Sequence, residues 1–368
     1  MEERTSVFEV RLESLRGVAA FGVAWAHGNV VFETIGEPSS YPLLLAWRNW
    51  LLLGVPAGAS VVLFFALSGF VLGASLKRDN NIRRYIVRRL FRIFPALWFA
   101  VTVTYAMQSA LASHFDRSIF SESFRFFFLG PQTVADFLRN LVLAKKSIDP
   151  VIWSLIPEVV CSLLLPLLVW LHQQTNRVGR AIILISLAIF GYFSESGAMQ
   201  YLFAFYAGFC LPSDVIAANL NSPVRSTIAA IAGWFLLVLG NAYGVPYTPI
   251  MREACTLGAV ILIGSIVSTP VVLGFLRLKA FRFLGRVSYS FYLLHLPTLF
   301  LLSYFVQLHP ALVPHNAYSA VLFAAISILL ALPIAALSYK FIEVPGIDLG
   351  RKIAQWSNSR LVKAATEA

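Results

Sequence analysis

The sequence predicts an all-α, polytopic membrane helix bundle of about ten transmembrane helices with both termini cytoplasmic, and three observations predict it. Apolar residues make up 58% of the 368 and charged residues 13%, about half the roughly 25% charged share of a soluble domain. The apolar residues fall in runs of about 15 to 25, close to the roughly 20 that a helix needs to cross a ~30 Å hydrocarbon core. The basic residues stand at the ends of those runs, mostly on one side of the expected membrane. A water-soluble globule is excluded.

The first run, at about 17 to 34, follows a mixture of Glu2, Glu3, Glu9 and Glu13 with Arg4, Arg11 and Arg16. It has no small-residue cleavage site, so it is expected to remain as a span. Further runs lie at about 52 to 76, 93 to 112, 151 to 171, 180 to 194, 199 to 212, 226 to 243, 253 to 269, 287 to 307 and 318 to 340. The sixth, around Tyr201 to Leu211, is short and aromatic, which suits a tilted or partly interfacial helix. Ten spans put both termini on one side. That side collects the N-terminal arginines, the Lys77 to Arg92 cluster, Arg177, Arg180, Arg225, the Arg277 to Arg286 group and the C-terminal lysines and arginines. The other side holds Arg48, Arg117, Arg125, Arg139, Lys145, Lys146 and Arg252, so the first side is expected to be cytoplasmic.

The longest non-cytoplasmic stretch, about 113 to 150, carries Phe120, Phe124 and Phe126-Phe127-Phe128, then an amphipathic pattern of Phe137, Leu138, Leu141 and Val142. It suits an interfacial segment or a wall of an acceptor cleft. The sequence shows no internal repeat and no second soluble domain. It reads as a single transmembrane domain over 1–350 with a short polar cytoplasmic tail over 351–368. Cys161, Cys210 and Cys255 sit far apart inside apolar runs, which indicates small packing residues and neither a disulfide framework nor a metal site. The net charge of +11 is spread over helix ends, which points to membrane orientation and not to nucleic acid.

An ionisable side chain within a span costs about 2.5 to 3.5 kcal/mol on insertion scales, so each one present is a functional candidate. His27, Glu158, His295 and Glu343 qualify. Arg16 and His27 are eleven residues apart, three turns plus about 20°, so they share a helix face about 16 Å apart along the axis. Arg89 and Arg92, three apart in a basic run, also share a face. They suit either a cytoplasmic anchor or a clamp on phosphate oxygens.

Six ordered blocks carry a resemblance: Leu12-Glu13-Ser14-Leu15-Arg16-Gly17 with His27 after it; Phe64 to Phe70, containing Ser68-Gly69; Arg88 to Pro95; Trp153-Ser154-Leu155-Ile156-Pro157-Glu158; Phe283 to His295, containing Ser288-Tyr289; and Ser338 to Pro345, containing Glu343. Together they resemble acyltransferase family 3, the integral-membrane O-acyltransferases that decorate bacterial glycans. Two positions depart from the family pattern: Cys161-Ser162 replace an aromatic pair, and Ser14 stands where an acidic residue is common. The fused extracytoplasmic domain of some relatives is not expected, so the membrane domain itself would meet the acceptor.

The resemblance implies His27 and Arg16 as catalytic residues and Arg89 and Arg92 as donor-binding. Ser68, Gly69, Glu158, Ser288, Tyr289, His295 and Glu343 are implied as supporting residues. It further implies acetyl-CoA or another acyl-CoA as donor substrate, with no permanently bound cofactor and no metal. A glycan hydroxyl, as in O-acetylation of lipopolysaccharide, is the expected acceptor, and membrane lipids and the bacterial inner membrane are the expected surroundings. A neutral His27 suits a general base, and an acyl-histidine intermediate is a second route. A transporter or flippase of lipid-linked sugars is the competing class, although the paired broken helices of such proteins are not visible.

Overall fold

A computed structural model describes residues 2–32, 57–127, 132–195, 197–220, 222–242, 248–313 and 317–366. Among these residues every regular element is helical. The α-helices are α1 Glu2–Asn29, α2 Ala57–Arg78, α3 Ile82–Leu111, α4 Glu122–Phe127, α5 Val134–Leu141, α6 Leu155–Gln174, α7 Arg177–Phe193, α8 Leu202–Leu211, α9 Pro223–Ala242, α10 Pro249–Ser268, α11 Lys279–Gln307, α12 Ala317–Ser338 and α13 Val344–Thr366. A π-helical turn, Tyr339–Glu343, joins α12 to α13. Arg48, residues 33, 34, 52–56 and 243 of three expected spans, and Phe128 lie outside the described residues.

Six helical stretches among the described residues are long and apolar enough to cross a membrane: Ala57–Arg78, Ile82–Leu111, Pro150–Gln174, Pro249–Ser268, Lys279–Gln307 and Tyr318–Trp356. The other four expected runs fall in α1, which is more charged, in α7 and α8, which are shorter, and in α9, whose apolar part Pro223–Leu239 is shorter. The Arg83 to Arg92 run is itself helical, because α3 begins at Ile82. Many large apolar side chains lie on the outside, such as Ile182, Ile185 and Ile189 along α7 and Leu322, Leu329 and Leu337 along α12. Such faces suit hydrocarbon and not water.

The chain divides into two compact units. The first gathers Met1–Ala26, Asn49–Asp79 and Ser154–Ser288. Its centre is α8, whose residues from Leu202 to Cys210 are all buried. The helical run continues on both sides of α8, through a 3-10 turn over Met199–Tyr201 and a π-helical turn over Pro212–Ala217. Buried from Leu202 to Cys210, α8 is an enclosed helix of this unit. Glycines let α2 approach it: a Cβ at Gly69 would overlap the Phe205 carbonyl, and a Cβ at Gly208 would overlap the Ala66 carbonyl. Small residues of this kind replace the hydrophobic driving force that helices lack within lipid. Arg11, fully buried, closes the end of α10 by donating to the carbonyls of Ile266, Thr269 and Val272 at 2.8, 2.9 and 2.8 Å. Last-turn carbonyls have no helical donor, so the guanidinium supplies one.

The second unit gathers His27–Arg48, Asn80–Trp153 and Tyr289–Ala368. Here α13 packs on α3, with Gly350 against Phe91 and Gly346 against Pro95. Ala354 is buried, so packing continues past residue 350 into the segment that the sequence marks as a polar tail. In the 113–150 stretch, Phe120 and Phe124 are buried, and Phe120 meets Phe32 while Phe124 meets Phe300. Helix α5 starts with a capping box between Thr133 and Asp136, stacks Phe137 on Tyr105 and exposes Val134, Leu138 and Val142.

Gly208→Leu is expected to destabilise the protein by at least about 1–3 kcal/mol, because the added side chain meets backbone that cannot move aside. Gly197→Leu, with nothing within 4 Å of its Cβ position, is expected to be neutral. Thermal unfolding in detergent compares them, and equal melting temperatures would contradict the close α2–α8 crossing.

Candidate functional site

Helix α11 brings polar residues of the second unit to partners on other segments or on its own preceding turn: the expected Tyr289 and His295, together with Ser290 and Tyr292, which the sequence did not single out. Tyr289 donates its hydroxyl to the Ile93 carbonyl of α3 at 2.7 Å. Ser290 donates to Glu343 Oε2 at 2.6 Å. Tyr292 donates to the Val151 carbonyl at 3.1 Å. His295, 3% exposed, lies one turn further on. These side chains are satisfied inside the protein, as a membrane requires.

His27, near the end of α1, stands against His295: its Nδ1 lies 2.9 Å from His295 Nε2. The ring planes differ by 15° and the centroids are 5.2 Å apart. That separation is the N···N distance plus about one ring radius at each end. The rings therefore meet edge to edge, with hydrogen and lone pair in the ring planes, rather than stacking face to face. His295 Nδ1 lies 2.6 Å from the Tyr292 carbonyl.

Glu343 is the second centre. Its carboxylate is fully buried and pairs with Arg92 while accepting from Ser290. The π-helical turn over Tyr339–Glu343 delivers it, a local widening that often marks functional positions. Arg92 keeps 26% of its side chain exposed, and its guanidinium lies 5.4 Å from the Tyr289 ring centroid. Part of the fork expected to hold donor phosphate is thus engaged by protein carboxylate. Arg89, one turn earlier on α3, is half-buried.

In the first unit, Ser68 donates to Glu158 Oε1 at 2.6 Å, tying α2 to α6. Gly69 serves the α2–α8 crossing described above. Arg16 is half-buried on α1 and Ser288 is buried. Cys161 and Ser162 continue α6 without a break: the thiol lies 3.5 Å from the Ala198 carbonyl and the hydroxyl bonds back to Val159.

One buried carboxyl was missed by sequence reasoning. Asp149, fully buried just before α6, accepts from Val151 N at 3.4 Å. Its other oxygen has no hydrogen-bond partner, and burial pushes its pKa up from 3.8 to about 8. The Asp149-Pro150 pair sits in a polar connector, so its sequence offers no sign that the segment turns inward.

A family model described as an acyltransferase domain matches residues 9–340. A protein of Acidianus two-tailed virus, ORF330, whose name carries the description acetyltransferase, is 25% identical over 78% of this chain and 83% of its own length. An O-acetyl transferase of Shigella phage Sf6 is 25% identical over 51% of this chain and 55% of its own. Nodulation protein 10 of Rhizobium leguminosarum bv. viciae is 26% identical over 38% and 44%. No solved structure matches.

The Asp149 carboxyl sets a pH dependence of stability. Its folded pKa lies above the unfolded value, so between about pH 4 and 8 the folded form holds a proton that the unfolded form has released. Stability therefore falls as pH rises through that window. Asp149→Asn is expected to remove this part of the fall, so that the variant gains on the wild type from pH 5 to pH 8. Thermal unfolding at the two pH values measures it, and parallel losses would contradict a buried protonated carboxyl.

Proposed function

The chain belongs to acyltransferase family 3, and from that premise we propose that it moves an acyl group, in the first instance acetyl, from cytoplasmic acyl-CoA to a sugar hydroxyl of a cell-surface or lipid-linked glycan. It is an O-acyltransferase and a multi-pass membrane protein. The observation that carries the reading is the His27 imidazole, held at the edge of the buried His295 ring. A neutral imidazole there can take the proton of an attacking hydroxyl. The hydroxyl oxygen then bonds to the thioester carbonyl carbon, the C–S bond breaks, and the thiolate leaves with the proton returned by His27. Alternatively the imidazole nitrogen attacks the thioester carbonyl carbon and the C–S bond breaks to release the thiolate; the sugar hydroxyl oxygen then bonds to the acyl carbon, the N–C bond breaks, and the hydroxyl proton ends on the thiolate. Both routes use the same unprotonated nitrogen.

In this reading Arg89 holds donor phosphate oxygens, with Arg92 beside it, and Arg16 orients the donor or the charge that develops on it. Glu343, Ser290 and Tyr289 set the position of Arg92. Ser68, Gly69, Glu158 and Ser288 support helix packing within the first unit. Ten spans with cytoplasmic termini, in one domain ending near residue 350 with a polar tail, give the donor access from the cytoplasm. The asymmetry of lysine and arginine supports that orientation. The setting is the bacterial inner membrane.

His27→Ala is expected to lower transfer by about 10²- to 10⁴-fold with unchanged abundance, measured as label passing from acetyl-CoA to envelope glycans. Transfer at the wild-type rate would remove His27 from the mechanism. Arg89→Lys keeps the charge but loses the fork. A lost charge-assisted hydrogen bond of about 1.5 to 3 kcal/mol corresponds to roughly a 10- to 150-fold loss of acetyl-CoA affinity. Arg84→Lys serves as control in the same binding measurement, and equal affinity in both variants would leave Arg89 as a membrane anchor.

A further inference from the structure

We infer that His295 is the positioning residue that fixes which nitrogen of His27 reacts: it holds the proton of His27 on Nδ1, leaves the lone pair on Nε2, and shares the charge when His27 is protonated. The inference rests on the proposed role of His27 and adds the chain of protons behind it.

The chain is read from its buried end. His295 Nδ1 faces the Tyr292 carbonyl at 2.6 Å. A carbonyl oxygen only accepts, so this nitrogen carries a hydrogen. In a neutral ring the other nitrogen, Nε2, is then an acceptor. It lies 2.9 Å from His27 Nδ1, and the edge-to-edge arrangement of the two rings directs its lone pair along that line. His27 Nδ1 therefore carries a hydrogen, and the lone pair of neutral His27 resides on Nε2. The opposite tautomer would set two lone pairs against each other at 2.9 Å.

The same geometry serves the reaction. When His27 Nε2 takes the proton of the hydroxyl, or bonds to the acyl carbon, positive charge develops on its ring. The Nδ1–H bond to His295 then strengthens. Moving that proton across to His295 Nε2 transfers the charge to His295, whose Nδ1–H remains on the Tyr292 carbonyl. No proton is lost: in direct transfer the shift reverses when His27 returns its proton to the departing thiolate, and in the acyl-histidine route it reverses when the acyl group leaves Nε2. Tyr292 is itself fixed through its hydroxyl to Val151, so the carbonyl at the buried end is held by two elements. His295 touches neither donor nor acceptor in this scheme and acts only through His27.

The test uses the full chain in nanodiscs, acetyl-CoA as donor and an envelope glycan extract as acceptor, with His295→Leu, His295→Gln, His27→Ala and the double variant His27→Ala/His295→Leu. His295→Leu is expected to lower kcat by about 10²-fold or more, as wrong-tautomer variants of other base dyads do, with KM for acetyl-CoA little changed. His295→Gln places a carbonyl oxygen near the lost Nε2 and is expected to restore most of kcat. The double variant is expected to be no worse than His27→Ala. ¹⁵N NMR of histidine-labelled protein is expected to show His27 protonated at Nδ1 in the wild type and a mixture of tautomers in His295→Leu. Equal loss in the Leu and Gln variants, or wild-type His27 protonated at Nε2, would overturn the inference, and the NMR result stands even if His295→Leu fails to fold. If His27→Ala keeps wild-type transfer, the proposed function fails. If His27→Ala is inactive while His295→Leu has wild-type kcat, only the positioning role fails.

Discussion

Polar groups among apolar helices must find their partners inside the protein, because lipid offers none. That constraint organises the second unit around α11. Tyr289, Ser290, Tyr292 and His295 each reach a carbonyl, a carboxylate or an imidazole on another segment or on the preceding turn. These bonds order the neighbouring elements, and in doing so they place His27 and Glu343. The same residues that satisfy the membrane's demand form the candidate reaction centre.

The first unit meets the constraint in another way. Its helices approach through glycine, at Gly69, Gly73 and Gly208 between α2 and α8, and at Gly233 and Gly258 between α9 and α10. Close backbone contact gives dispersion attraction where burial of apolar surface from water is unavailable. Charged groups that remain are spent on helix ends and loops: Arg11 on the last carbonyls of α10, and Arg252 on the Gly191 carbonyl, Gln200 and Glu253. Both arginines are engaged by protein groups, although a bare count of basic residues treats both as orientation signals.

Hydropathy made the membrane class and most helix positions legible, because a run such as 318–340 has few other physical solutions. It could not distinguish the enclosed α8 from a lipid-facing helix, since both are apolar on every face. The enclosure of α8 was not legible, because its close partners on α2 are distant in sequence. The candidate site was legible as single residues, because His27, His295 and Glu343 are costly where they stand. Their pairing was not, since His27 and His295 are 268 residues apart and no local pattern joins them. The Arg92–Glu343 pair escaped for the same reason. Asp149 escaped for a different one: a buried loop carboxyl leaves no periodic trace.

The central claim is that the acyl group reacts at the edge of the His27–His295 pair. A donor analogue with a photoreactive acyl group, cross-linked to the protein in nanodiscs and mapped by mass spectrometry, tests it most directly. Attachment to the peptides that contain His27 or His295, competed by acetyl-CoA, is the result this account predicts. Competed attachment confined to other segments, with both histidine peptides unmodified, would contradict it.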